Sequence, residues 1–363
     1  GKNLKVIGRA GVGVDNIDLP AASRQGIIVI NAPSGNTLAA TELTMANMLA
    51  VVRHVPQACS SLHRGKWDRN RFTGCQLSGR KLLIIGLGRI GSEVAKRARA
   101  FGMEVIAYDP YIPQKKAESL HVELVSDLEG AVSLADVVTI HTPLTQETSD
   151  MIDADMLRAF KHGAYLVNCA RGGIVDEAAV AEAVRDGRLS GFATDVFSAE
   201  PLAAGHPFLA EDIAERIVIT PHIGANTVEA QSEVSRIAAQ NMLMVLRGEP
   251  YSHAVNLPFI EQALNGDQRM YLALSRKIGV LAAKLAQVRG AAAHNCHVTL
   301  RGALFEDEEK RVANQLRPYT IAVLKGMLEV SVGSSVTYMI APLLAKDRHI
   351  SIDESCGESK TYK

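Results

Sequence analysis

The stretch Lys81-Leu82-Leu83-Ile84-Ile85-Gly86-Leu87-Gly88-Arg89-Ile90-Gly91 constrains the fold more than any other. An apolar run ends in Gly-x-Gly-x-x-Gly, and helix-type spacing follows at Val94, Ala95, Ala98 and Phe101. Strand, tight glycine turn and helix are what a dinucleotide pyrophosphate requires. Gly86 permits the turn, Gly88 lets the backbone approach the phosphates, and Gly91 lets helix and strand pack closely. The free N–H groups and the dipole at the helix start then face the anion. A plain glycine turn carries the same letters, so the context decides. A second apolar run, Glu104 to Tyr108, ends in Asp109. That carboxylate falls close to the ~20-residue spacing of the group that binds the adenosine ribose hydroxyls. Its charge repels a 2′-phosphate, so NAD is expected rather than NADP.

From Lys81 onward strands and helices alternate. Further strands are expected at His121 to Val125, Asp136 to His141, Ala164 to Asn168, Gly191 to Val196 and Arg216 to Thr220. They are short and apolar on both faces, the mark of a parallel sheet covered by helices on each side. Asp176 is the expected N-cap of a helix reaching Arg185. Upstream, Leu4 to Ile7 and Ile27 to Ile30 read as strands and Leu19 to Gln25 as a helix. The glycine-rich turn from Gly8 to Asp18 lacks the Gly-Lys-Ser/Thr ending of a P-loop. A long helix is expected from Leu38 to Val55, closed by Pro56, with Leu38, Met45, Met48, Leu49 and Val52 at apolar spacing. A loop follows, and Trp67 in it is exposed beside basic residues. Val228 to Leu246 is another helix; the chain returns through Tyr251 to Leu257, and Pro258 to Gln268 reads as a linker. Beyond it Met270, Leu274, Ile278, Leu281 and Leu285 share one helix face, Cys296 to Leu304 alternates like a strand, and Glu306 to Leu328 is a helix with Pro318 as kink or boundary. The tail from Asp353 to Lys363 is polar and expected to fray.

The fold class expected is α/β: a Rossmann doubly wound parallel sheet, a partial flavodoxin-like substrate domain and a C-terminal α+β domain. The boundaries are 1–33, continued by 224–257, for the substrate part; 34–223 for the NAD-binding domain; and 258–363 for the last. A length of 363 residues fits two or three domains. The 39 basic and 39 acidic residues cancel, which argues against nucleic acid or a membrane surface held by bulk charge. The five cysteines are scattered, with no C-x-x-C pair, so no metal site and no disulfide is expected, in keeping with a cytoplasmic protein. No apolar run reaches the ~18 residues of a span.

Three motifs sit where strands of such a sheet should end, the edge at which ligands bind. They are Asn168-Cys169-Ala170-Arg171-Gly172-Gly173, Asp195-Val196-Phe197-Ser198-Ala199-Glu200-Pro201 and Thr220-Pro221-His222-Ile223-Gly224. Arg171 can hold a carboxylate bidentately. His222 with Glu200 nearby can exchange a proton near neutral pH. Beside a nicotinamide this set suits oxidation of a 2-hydroxy acid, with His222 taking the hydroxyl proton and Arg171 holding the acid end. Blander roles remain open: a surface arginine in a Gly-Gly turn, a loop histidine, a turn glutamate, and Asp195 as a strand-end cap. His54, His63, His206 and His294 read as structural or exposed.

These motifs, with Gly8-Arg9-Ala10-Gly11-x-Gly13-Val14-Asp15-Asn16 and Pro221-His222-Ile223-Gly224-Ala225, resemble the D-isomer-specific 2-hydroxyacid dehydrogenases from about Leu4 to Pro258. The resemblance implies that Arg171, Glu200 and His222 are catalytic. It implies that Gly86, Gly88, Arg89, Ile90, Gly91, Asp109, Thr142, Cys169, Ala170, Arg171, Asp195, His222 and Gly224 line NAD, and that Asn36 reaches toward substrate. From about Arg269 to Glu354, with Met339-Ile340-Ala341-Pro342-Leu343-Leu344-Ala345 as the nearest piece, the chain resembles the extra domain of the family's long members that act on 3-phosphoglycerate. The implied activity is NAD-dependent oxidation of 3-phospho-D-glycerate to 3-phosphohydroxypyruvate, the first step of serine synthesis, by a homodimer or homotetramer. The alternatives are reduction of hydroxypyruvate, glyoxylate or another 2-hydroxy acid, and an NAD-gated scaffold. The family begins with a further stretch of substrate domain that carries phosphate-holding basic residues, and its long members end in a small serine-binding domain. Neither is in this sequence, which reads as a fragment expected to be impaired on substrate.

Overall fold

The computed structural model describes residues 3–261, 264–290, 295–302 and 316–357. The chain forms two compact units, Asn36–Ser232 and the combination of Gly1–Gly35 with Glu233–Lys363.

The second of these opens with β1 (Val6–Gly8), α1 (Leu19–Arg24) and β2 (Ile28–Ile30), the two strands pairing in parallel. Asp18 caps α1 by accepting the Ala21 N–H at 2.9 Å. Ala22, Ile27 and Val29 form a small core with Ile7, Leu19 and Val255. Asn256 fixes the returning chain here: its Oδ1 accepts the Val29 N–H at 2.8 Å, and its Nδ2 donates to the Ile27 carbonyl at 2.9 Å.

The unit from Asn36 to Ser232 begins with α2 (Thr37–Arg53) and α3 (Val55–His63). Pro56 does not close a helix, as the sequence pattern implied; it starts the next one, in the first turn, where its missing N–H leaves no bond unmade. His54, left-handed at φ 53°, makes the break. Leu38, expected on the buried face of α2, is exposed, whereas Met45, Met48 and Val52 are buried. Then follow β3 (Lys81–Ile85), α4 (Arg89–Ala100), β4 (Glu104–Tyr108), α5 (Gln114–Ser119), β5 (Glu123–Val125), α6 (Leu128–Leu134), β6 (Val137–Ile140), α7 (Ala154–Ala159), β7 (Ala164–Asn168), α8 (Glu177–Arg185), β8 (Leu189–Thr194) and β9 (Ile217–Ile219). The seven strands form one all-parallel sheet in the order β5-β4-β3-β6-β7-β8-β9. Successive residues feed opposite faces: Leu83 and Ile85 join one core, Leu82 and Ile84 the other. That two-sided burial is why the strands read as continuous apolar runs. The order reverses beside β3, placing a crevice at its carboxyl end.

The chain continues in α9 (Val228–Arg247), α10 (Gly266–Val288), β10 (Asn295–Arg301), α11 (Arg317–Val332), α12 (Ala341–Asp347) and β11 (Ser351–Gly357). The expected linker ends early, because Asn265 and Gln268 form a capping box that starts α10. Of the two expectations for Pro318, kink or boundary, the second holds, since it lies in the first turn of α11; the expected helix residues 306–315 lie outside the described residues, as do Leu304 and His294. The polar tail holds a strand: β11 pairs in parallel with β10 through Gly357. Met270, Leu274, Ile278, Leu281 and Leu285 share a face of α10 that is exposed. The inward face is Leu272, Ser275 and Gly279, because α10 and α11 cross with Gly279 against the Val323 carbonyl.

Candidate active site

The glycine turn after β3 is built for close approach. Gly86 sits at φ +96°, and a Cβ at Gly91 would lie 2.1 Å from the Gly86 carbonyl oxygen. Gly88 is the N-cap of α4, with no side-chain cap bond and nothing within 4 Å of where its Cβ would stand. Open space thus lies beside Gly88 at the start of a twelve-residue helix, an end whose unpaired N–H groups and dipole favour an anion. Arg89 is exposed and Ile90 half-buried at the same helix start. Asp109 ends β4 and accepts the Leu87 N–H at 2.8 Å and the Tyr111 N–H at 3.0 Å. Its carboxylate thus braces the glycine turn from the adjacent strand.

On the other side of β3, β6 leads to His141 and Thr142. Burial pushes the His141 imidazole down to about 3, so it is neutral at any working pH; its ring Nε2 is 3.0 Å from Thr139 Oγ1. Thr142 Oγ1 is buried with no hydrogen-bond partner, and so is Oδ1 of Asn36, just before α2. Buried polar atoms are seldom left so, and these two call for a ligand. The open cradle at Gly88 and the orphaned Thr142 hydroxyl fit a bound dinucleotide.

After β7, Asn168 is fully buried and shapes the next turn: its Nδ2 donates to the Arg171 carbonyl at 2.9 Å, and its Oδ1 accepts the Ala170 N–H at 3.1 Å. Arg171 Nη1 donates to the Ala170 carbonyl at 2.7 Å. Cys169 stands 3.5 Å from Asn47 Nδ2, and burial pushes its thiol up to about 12. Asp195, after β8, is almost wholly buried. One oxygen accepts the Thr220 hydroxyl at 2.6 Å and the Ile223 N–H at 2.8 Å, and the other accepts the Gly224 N–H at 2.7 Å. It staples the His222 loop to the sheet.

His222 and Glu200 meet within this unit, Nδ1 to Oε2 at 2.7 Å, with side chains 49% and 37% exposed. The other oxygen of Glu200 accepts the Phe197 N–H at 3.1 Å. His222 sits at φ 52°, a region that costs a non-glycine residue about 1 kcal/mol or more. A cavity of about 570 Å³ opens beside the pair, lined by Phe197, Pro201, Leu202, Ile219 and Pro221. Bound to Glu200 through Nδ1, the imidazole keeps Nε2 for an incoming hydroxyl.

The structure thus brings Glu200, His222, Asp195 and Gly224 together, and separately the Gly86–Gly91 turn with Asp109 and Thr142. His206, expected to be structural or exposed, is structural, and with Glu177 it holds the loop carrying Glu200; the sequence reading missed Glu177 and the brace made by Thr220. Among the described residues no cluster of His, Cys, Asp and Glu could hold a metal, all five cysteines are free, and no helix is long and apolar enough to cross a membrane.

Residues 45–224 match the family model of the D-isomer specific 2-hydroxyacid dehydrogenase NAD binding domain, and residues 268–363 that of the D-3-phosphoglycerate dehydrogenase intervening domain. The D-3-phosphoglycerate dehydrogenase of Methanocaldococcus jannaschii is 43% identical over 361 residues, 99% of this chain and 66% of that protein. The structure of the TT0316 protein from Thermus thermophilus is 41% identical with a TM-score of 0.64, covering 70% of this chain and 79% of its own. The NAD-dependent formate dehydrogenase from Staphylococcus aureus, in complex with NAD, is 33% identical with a TM-score of 0.63, covering 69% and 74%. The chain spans about two thirds of the length of the curated relatives it matches, 66% and 65% for the archaeal proteins.

Proposed function

This chain belongs to the D-isomer specific 2-hydroxyacid dehydrogenases, with an NAD-binding Rossmann domain, and on that premise we propose that it oxidises 3-phospho-D-glycerate to 3-phosphohydroxypyruvate, the entry to serine synthesis. The observation that carries the reaction type is the Glu200–His222 pair at 2.7 Å beside an apolar cavity. Support for the phosphorylated substrate is the intervening domain matched over 268–363, together with the 43% identity to a D-3-phosphoglycerate dehydrogenase.

The Gly86–Gly91 turn, Arg89, Ile90, Asp109, Thr142, Cys169, Ala170, Asp195 and Gly224 would hold NAD, which supplies the hydride acceptor when bound. The roles of this chain's own groups follow from their chemistry. The Arg171 guanidinium holds the substrate carboxylate. His222 Nε2 accepts the C2 hydroxyl proton as the C2 hydrogen leaves as hydride. Glu200 fixes the ring through Nδ1 and stabilises the imidazolium that forms, while Asn36 Oδ1 is a group for the substrate to satisfy. Cys169 is a neutral wall, since its thiol stays protonated below about pH 12.

We place the enzyme in the cytoplasm as a homodimer or homotetramer. Exposed Leu62, Val55 and Trp67 offer apolar area for a second copy; a monomer by light scattering at micromolar concentration would sink that claim. The test of substrate is kcat/KM of the full-length protein on 3-phospho-D-glycerate, D-glycerate and D-lactate. We expect a preference of about 100-fold or more for the phosphorylated acid. A reversed order would move the reading to an unphosphorylated 2-hydroxy acid.

A further inference from the structure

A second histidine–carboxylate pair stands behind the first. Glu177 opens α8, and its Oε1 accepts the Ser198 N–H at 2.7 Å. Its Oε2 is 2.9 Å from His206 Nε2. On the far side of the ring, His206 Nδ1 accepts the Phe208 N–H at 3.3 Å. An Nδ1 that accepts an amide hydrogen must carry a lone pair, so the ring is neutral with its proton on Nε2, donating to Glu177. Both side chains are largely buried, at 12% and 15% exposure. The ring also packs on Phe208, centroids 4.9 Å apart, and lies edge-on to Phe197 at 6.0 Å. One carboxylate therefore grips both ends of the segment 198–206, and Glu200 lies inside that segment.

The grip is coupled to the Glu200–His222 bond through a single peptide. The Phe197 N–H binds Glu200 Oε1, and the next amide, Ser198 N–H, binds Glu177 Oε1. Consecutive amides so assign one carboxylate each, and the loop cannot shift at Ser198 without moving the donor that aims Glu200. We infer that Glu177 and His206 are positioning residues, which hold Glu200 in the orientation that fixes His222 Nδ1. This deepens the reading of Glu200 and His222 proposed above and rests on it.

The test is a double-mutant cycle in the full-length enzyme, with Glu177→Ala, Glu200→Gln and the pair. Glu177→Ala should lower kcat about tenfold, with the NADH dissociation constant within about twofold of wild type. Glu177→Gln, which keeps an acceptor for the Ser198 N–H, should recover part of the loss. In the Glu200→Gln background, Glu177→Ala should have almost no further effect on kcat, because its action runs through Glu200. Independent losses that multiply, or a kcat that Glu177→Ala leaves unchanged, would overturn the inference and leave the pair a structural brace. Nitrogen NMR of the two imidazoles decides it without turnover. His206 should show a proton on Nε2 only, and the His222 Nδ1 signal should move on Glu177→Ala. A His222 signal indifferent to Glu177 would overturn the inference even if wild type turned over no hydroxy acid at all, an outcome that would count separately against the function proposed.

Discussion

The two histidine–carboxylate pairs of the Rossmann unit are alike in chemistry and opposite in setting. His222 and Glu200 meet at 2.7 Å, half-exposed beside a cavity; His206 and Glu177 meet at 2.9 Å, closed in among phenylalanines. The second nitrogen separates them further. His206 Nδ1 is occupied by the Phe208 amide, whereas Nε2 of His222 has no protein partner among the described residues. An imidazole held at both nitrogens can only position; one held at a single nitrogen by a carboxylate is oriented and still able to take a proton. Pair distance alone does not identify a catalytic histidine. The occupancy of its other nitrogen does.

The comparison can be broken at either pair. Glu200→Gln should reduce kcat about 100-fold while leaving the thermal midpoint within a few degrees, since a half-exposed pair adds little to stability. His206→Ala should weigh differently, costing stability in addition to a kcat loss smaller than that of Glu200→Gln. It strips the Glu177 carboxylate of a buried donor and removes packing between aromatic rings, a loss of about 2 kcal/mol in unfolding free energy by denaturant titration. If His206→Ala left stability untouched, the buried pair would not be the brace described.

His141 sharpens the contrast as a histidine with no carboxylate. Its folded pKa, about 3, lies below the 6.5 of an exposed histidine. The unfolded chain therefore binds a proton that the folded chain refuses, and its contribution is lost as pH falls from 6.5 toward 3. Stability should fall by roughly 1 kcal/mol per pH unit over that window, and a His141→Asn variant should show a flatter slope. An equal slope in both would assign the acid sensitivity to other groups. The smallest effect concerns Cys169. With its thiol pushed up to about 12 it should resist iodoacetamide between pH 7 and pH 9, while exposed Cys59 reacts. Labelling of Cys169 at the rate of Cys59 would show that its site opens.

What was legible in the sequence follows the same division. The Gly86–Gly91 turn and Asp109 were readable because their chemistry is local: a turn, a helix start and the end of the next strand. Glu200 and His222 were readable from motifs at strand ends, although 22 residues separate them. The pairing of Glu177 with His206, a histidine read only as structural or exposed, was not, since their meeting depends on how the loop after β8 folds back over α8. Thr142 and Asn36 came only through family resemblance; nothing in a pattern of letters shows that a hydroxyl or an amide oxygen will be buried without a partner. Elsewhere, Pro56 was read as a stop, but proline ends one helix and begins another equally well, whereas Pro318, read as kink or boundary, is the boundary. The strand at Ser351–Gly357 was hidden because its two-stranded sheet buries none of that strand's residues fully and leaves them mostly polar, without the apolar run that two-sided burial imposes on β3 and β6.

The most direct measurement is the rate of NADH formation from 3-phospho-D-glycerate by the full-length protein and by its His222→Asn variant, with NAD affinity measured for both. Turnover in wild type, a loss of about a thousandfold or more in the variant and matching affinities for NAD are the result this account predicts. A variant that keeps turning over, or a wild type that binds NAD and oxidises no 2-hydroxy acid, would contradict the assignment of His222 as the proton acceptor.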